Sequence, residues 1–182
     1  KKIIKLRTSY IFLSTRKIYK PKSNCSEKTN PNPACSYSKN KLITENKLKS
    51  LIKKRLIILR ISNVIGINKI KSKKKLHNTF IDIFFRNIKK GIIIKNNDIY
   101  KDFISSKKLS KIISKLIKIN AYGTYNVSTG KKIYLDDIVK WLNFYNSKPY
   151  RVISNNKLNL NRDSFYLNNN KIIKKTKIQI SI

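Results

Sequence analysis

The chain has 182 residues, with 43 Lys and Arg against 8 Asp and Glu, for a formal net charge of +35. That length can bury one sizeable core, or one domain with an appendage, and no apolar run approaches the ~20 residues of a membrane-spanning helix. The charge points toward nucleic acid or another polyanion, yet Lys, Ile and Asn, whose codons are rich in A and T, make up about half the chain. Arginine, the better residue for bidentate phosphate recognition, is scarce, and the lysines are spread along the whole chain apart from the run at 69–75. Nucleotide bias therefore accounts for much of the charge. The chain contains no Met and opens on Lys1-Lys2, so a natural start upstream is expected. Cys25 and Cys35 have no metal-ligand spacing, and nothing resembles a secretory signal. The cytoplasm is the expected compartment.

In chain order, Tyr10-Ile11-Phe12-Leu13 reads as a buried strand that delivers the hydroxyls of Ser14 and Thr15 at its C-terminal end. Residues 19–33, rich in Pro, Asn, Ser and Lys, read as a loop. Asn32-Pro33 is a helix-start signal, with Asn as cap and Pro at the first helical position. The helix is expected to run to about Lys54, with Tyr37, Lys41, Leu48 and Ile52 on one stripe. Leu56 to Ile61 is an almost continuous aliphatic run, as in a central parallel strand covered on both faces, and Ser62 to Gly66 reads as a loop at its end. Strand, helix and strand with loops at one edge is the grammar of a parallel α/β sheet.

After a lysine-rich loop, a helix is expected over 78–90, stopped by Gly91. A short strand at Ile92-Ile93-Ile94, a turn at Asn96-Asn97-Asp98 and the segment Tyr100 to Ile104 follow. Ser105 or Ser106 caps a helix through Leu109, Ile112, Ile113, Leu116 and Ile117, ending near Asn120. Gly123 to Ser128 reads as a strand. Leu135 to Phe144 reads as a helix with Asp136 and Asp137 in its favourable first turn, and Asn168 to Lys175 as a short helix. His77 reads as a surface residue.

A tyrosine four residues ahead of a lysine on a helix places both side chains on one face. Tyr37 and Lys41 have that spacing, which a lysine-rich chain also produces by chance, leaving a half-exposed tyrosine beside a solvated lysine. The position of the pair, opening a helix between two buried strands, favours a functional role. Thr15 is either a reactive hydroxyl or a strand-end hydroxyl satisfying its own backbone. Asn63 is either a ligand contact or a turn residue.

Five stretches in order resemble the extended short-chain dehydrogenase/reductase family, the NAD-dependent nucleotide-sugar epimerases and dehydratases. These are Leu13-Ser14-Thr15-Arg16-Lys17-Ile18-Tyr19; Glu27 to Lys41 with its Tyr-x-x-x-Lys; Leu59-Arg60-Ile61-Ser62-Asn63-Val64-Ile65-Gly66; Lys101-Asp102-Phe103-Ile104; and Gly123 to Gly130. The resemblance implies that Tyr37 is the general acid/base on a sugar oxygen. A free phenol, with a pKa of about 10, is too weakly acidic to serve as a base at neutral pH unless neighbouring positive charge favours the phenolate. It further implies that Lys41 supplies that charge and binds the nicotinamide ribose of NAD(P), and that Thr15 orients the substrate oxygen. Ser14 and Tyr37 would also border the cofactor, while Asn63, Lys101 and Arg162 would contact the nucleotide sugar. Pairing of two copies through the helix carrying Tyr37 is also implied.

Two departures qualify the resemblance. Arg16-Lys17 stands where sugar 4,6-dehydratases of the family carry Asp-Glu, which favours an epimerase or ketoreductase. The glycine-rich dinucleotide fingerprint is absent, since Gly66, Gly91, Gly123 and Gly130 are dispersed. The expected fold is α/β: a partial Rossmann-like parallel sheet holding the later strands, over 1–66, and a small mixed α/β substrate-binding region over 67–182. The competing expectation is a degenerate, non-catalytic basic protein that binds nucleic acid or another polyanion.

Overall fold

Five of the six residues of Leu56–Ile61 are aliphatic, and all six are buried; such a segment needs neighbours on both edges and both faces. In the computed structural model, which describes residues 9–66, 93–95, 99–145, 152–154 and 164–180, this strand has them. β1 (Tyr10–Thr15) and β7 (Gly123–Val127) flank β2 (Leu56–Ile61) in a three-stranded parallel sheet of order β1-β2-β7. Leu13 pairs with Leu59, which in turn pairs with Tyr125.

The alternation of β2 divides the core. Ile57, Leu59 and Ile61 join Ile112 and Leu116 of α2 (Ser106–Lys118) and Ile172 of α4 (Asn170–Thr176) on one face. Leu56 and Ile58 join Ile52 of α1 (Ser36–Ile52) on the other, with Phe12 and Leu48 packed alongside. Arg60 is in phase with Leu56 and Ile58 and therefore faces α1 rather than α2. The expected parallel sheet of an α/β protein is present.

The remaining described strands form small pairs. β3 (Asn63–Ile65) runs parallel to β6 (Phe103–Ser105), and β4 (Ile93–Lys95) runs parallel to β9 (Val152–Ser154). β5 (Tyr100–Lys101) and β8 (Ile133–Tyr134) are antiparallel, and α3 (Leu135–Tyr145) follows β8 directly. Ser62 to Gly66 is thus not all loop. Its strand partner lies about forty residues away, beyond the reach of local pattern.

Helix ends explain two further outcomes. Ser105 Oγ accepts from Lys108 N at 3.2 Å and caps α2, as expected. At its other end Asn120 adopts φ 46, Ala121 N bonds Leu116 O at 3.0 Å and Asn120 N bonds Ile117 O at 3.0 Å, a Schellman motif with Asn in the left-handed position. α1 begins later than Asn32-Pro33 suggests. Asn32 N is spent on Ile18 O at 2.8 Å, and the first helical bond runs from Lys39 N to Cys35 O at 2.9 Å. Ser38 Oγ accepts from Cys35 N at 3.3 Å, the backward half of a capping box. The helix 78–90, Gly91, the 96–98 turn, His77, the lysine run at 69–75 and Arg162 lie outside the described residues.

Candidate active site

Ser38, Glu45 and Ile52, seven residues apart, are the buried positions of α1. The buried stripe is therefore not the expected one through Tyr37, which lies at its border in the first helical turn and is 54% exposed. Lys41, a turn later, turns back onto the strand: its Nζ donates to Leu13 O at 2.9 Å and lies 4.8 Å from the Phe12 ring centroid and 5.8 Å from that of Tyr37. Phe12, Tyr37, Asn40, Lys41 and Thr44 line a hollow of about 230 Å³. An ammonium has three donors, so among the described residues two of those of Lys41 remain for a ligand.

Thr15 ends β1. Its Oγ1 accepts from Lys17 N at 3.2 Å, capping the 3-10 turn Arg16–Ile18. A hydroxyl that accepts this bond keeps its own proton to donate, so the structural and the reactive readings of Thr15 are compatible. Ser14 differs: it is buried, and its Oγ donates to Glu45 Oε1 at 2.5 Å. That hydroxyl is committed to the protein.

Asn63 and Lys101 belong to a second group. Asn63 Nδ2 donates to Asp102 O at 3.1 Å, which ties β3 to the β5–β6 junction. Lys101 is buried, with Nζ 5.9 Å from the Phe165 ring centroid, while the Arg16 guanidinium lies 3.6 Å from the same ring. Phe165 thus links the segment just after Thr15 to Lys101. Asp102 is fully buried: Oδ1 accepts from Thr129 N at 3.0 Å and Thr129 Oγ1 at 2.8 Å, and Oδ2 accepts from Leu167 N at 3.0 Å. Burial pushes its carboxyl up, against those donors. Ser62 Oγ, at the end of β2, is the buried side-chain atom without a hydrogen-bond partner among the described residues.

The polar residues that the sequence reading passed over join these elements. Arg60 meets Glu45 in a buried pair, Nη2 to Oε2 at 2.7 Å, with Nε 3.2 Å from each carboxylate oxygen. Arg60 Nη1 donates to Tyr19 OH at 2.7 Å, and Tyr19 OH donates to Asn126 Oδ1 at 3.0 Å. Burial lifts the Tyr19 phenol to about 12, against the opposing effect of Arg60. Burial also opposes the charge on Arg60, but Glu45 and Tyr19 outweigh it and the guanidinium is held above its ordinary value. The available signal was an arginine inside an aliphatic run buried on both faces, which requires a buried partner.

A dinucleotide needs bare backbone at its pyrophosphate, and the described glycines do not offer it. A Cβ on Gly66 would meet Ser106 Oγ at 2.5 Å and one on Gly130 would meet Asn169 at 2.7 Å. Those two glycines make room for protein side chains. Gly123, at φ 105, opens β7 alone. Among the described residues the donors beside the hollow suit a ribose end, and no pyrophosphate cradle accompanies them.

This parallel sheet with its crossover helix is the fold of nucleotide-sugar epimerases. The UDP-N-acetylglucosamine 4-epimerase of Methanobrevibacter ruminantium matches with a TM-score of 0.78 at 20% identity over 94% of this chain and 57% of its own. The UDP-glucose 4-epimerase of Thermotoga maritima, solved with UDP-glucose, gives 0.73 at 17% identity over 96% and 59%. MoeE5, solved with UDP-glucose and NAD, gives 0.74 at 14% over 94% and 59%. The chain thus spans somewhat under two thirds of the length of each. No protein-family model and no curated protein matches the sequence.

Proposed function

We propose that the protein acts as an NAD(P)-dependent nucleotide-sugar epimerase or ketoreductase, with Tyr37 as general acid/base, Lys41 beside it and Thr15 as the orienting hydroxyl. The observation that carries this reading is the anchoring of Lys41 to Leu13 O at 2.9 Å, which fixes the Tyr37–Lys41 turn of α1 against the strand that ends in Thr15. The fold shared with epimerases supports it, as does the hollow beside the pair.

When bound, the nicotinamide cofactor supplies a hydride acceptor and donor. The residues here do the rest. Thr15 donates its free proton to the substrate oxygen and holds it in place, and Tyr37 takes or returns the hydroxyl proton. Among the described residues, two donors of Lys41 remain to hold a ribose hydroxyl. Asn63 and Lys101 are proposed to contact the nucleotide-sugar portion, as is Arg162. Lys101 supplies charge without the bidentate fork of an arginine. A homodimer through α1 and a cytoplasmic setting complete the proposal.

The test is to incubate the protein with NAD and UDP-glucose or UDP-N-acetylglucosamine and follow the sugar by NMR. Turnover lost in Tyr37→Phe, with sugar-nucleotide binding nearly intact, is the expected result; normal turnover in that variant refutes the assignment. A second reading, polyanion binding, draws on a hollow of about 590 Å³ lined by Lys107, Lys111, Lys115 and Lys118. Steeply salt-dependent binding to duplex DNA, indifferent to Tyr37→Phe, would favour it.

A further inference from the structure

Tyr37, Lys41 and Glu45 lie four residues apart, so they occupy one stripe of α1. The first is exposed, the second half-buried and the third fully buried. Two bonds stitch this stripe to neighbouring residues of β1: Lys41 Nζ to Leu13 O at 2.9 Å, and Ser14 Oγ to Glu45 Oε1 at 2.5 Å. The carboxylate that receives Ser14 is itself clamped by the guanidinium of Arg60 on β2, at 2.7 and 3.2 Å. Through Tyr19 the chain of bonds continues to Asn126 on β7. One buried acid thus reads the positions of all three strands of the parallel sheet at their C-terminal ends.

Such a pair is an expensive way to hold a helix down. Each buried ion loses several kcal/mol of hydration, and apolar replacements of similar volume are often neutral or stabilising. What an apolar pair lacks is direction: a guanidinium fork fits a carboxylate in one plane, and a small roll of the helix breaks it. We propose that Glu45 and Arg60 are positioning residues, a buried clamp that sets the roll of α1 on β1 so that Tyr37 and Lys41 stand over the strand end carrying Thr15. This rests on the acid/base role proposed for Tyr37, and it assigns neither Glu45 nor Arg60 a contact with substrate.

The deciding variant is the double replacement Glu45→Met/Arg60→Met, with Arg60→Lys, which keeps the charge and loses the fork, as its companion. Three quantities are read: thermal unfolding, kcat and KM in the sugar-nucleotide assay, and the NMR contact between the Lys41 side chain and the Phe12 ring. The double variant should stay folded, its unfolding temperature lowered no further than the loss of an acceptor for the buried Ser14 hydroxyl requires. It should lose the Lys41–Phe12 contact and drop kcat by about 100-fold, the cost of a misplacement of about 1 Å, with KM changed less than about twofold. Arg60→Lys should fall between it and the starting protein. A folded double variant that keeps both kcat and the Lys41–Phe12 contact overturns the clamp. Should the double variant not fold, unchanged kcat and contact in Arg60→Lys overturn it equally. If the starting protein turns over neither sugar, the enzymatic reading fails by itself, and persistence or loss of the Lys41–Phe12 contact still decides the clamp.

Discussion

Glu45 and Asp102 are both fully buried carboxylates, and the two regions that hold them do so by different means. Around Glu45, where α1 crosses β1 and β2, a full positive charge answers the negative one, and the neutral Ser14 hydroxyl adds to it. Around Asp102, where β6, β7 and the C-terminal segment meet, two backbone N–H groups and the Thr129 hydroxyl serve the carboxylate, and burial lifts it. Burial raises the Asp102 carboxyl against the donors that favour its charged form, so the second arrangement is a junction whose strength depends on pH.

The largest expected effect separates the two directly. Glu45→Ala leaves the Arg60 guanidinium buried without its carboxylate and should cost about 3–5 kcal/mol in chemical denaturation. Asp102→Asn should cost less, about 1–3 kcal/mol, because an amide cannot accept at both of its ends and one buried N–H loses its acceptor. The pH dependence sharpens the contrast. Asp102 is raised from its ordinary 3.8, so in the window above that value the folded chain keeps a proton that the unfolded chain has released. Its contribution is complete below 3.8 and declines as pH rises toward the folded value. The lead in stability over Asp102→Asn should therefore shrink with rising pH, as denaturation at a series of pH values would show. The smallest effect belongs to Lys49, whose side chain is 45% exposed and 3.8 Å from Glu45. Lys49→Ala should change stability by no more than about 0.5 kcal/mol, since solvent screens such a pair.

These two regions also differ in how far the sequence reveals them. β2 is legible because a continuous aliphatic run has one good destination, and α2 because its apolar spacing and serine cap agree. The late start of α1 was hidden: it depends on Ser38 reaching back to Cys35, a contact that the stronger Asn-Pro signal obscured. β3 was hidden because its partner at Phe103–Ser105 lies far along the chain. At the candidate site, the Tyr37–Lys41 spacing and the Ser14-Thr15 strand end could be read directly. That Ser14 turns inward to Glu45 could not, because nothing local tells which of two adjacent hydroxyls faces the helix. Arg60 was readable in principle, yet its partner could be identified only once the crossover had placed Glu45 opposite it.

One feature of the loop at 19–33 bears on how the molecule is made. Cys25 N bonds Tyr166 O at 3.2 Å, Asn168 N bonds Cys25 O at 2.8 Å, and Asn126 Nδ2 bonds the carbonyls of Cys25 and Asn168. Chain emerges from a ribosome N-terminal end first, at about 5–20 residues per second. The β1–α1–β2 crossover can form early, from contacts close in sequence, while the loop beside it waits for partners at Asn126, Tyr166 and Asn168, far along the chain. Ordering that loop therefore carries the delay and the closure entropy of long-range contacts. The crossover is a scaffold that can be finished early, and the loop beside it is ordered only when those distant segments arrive.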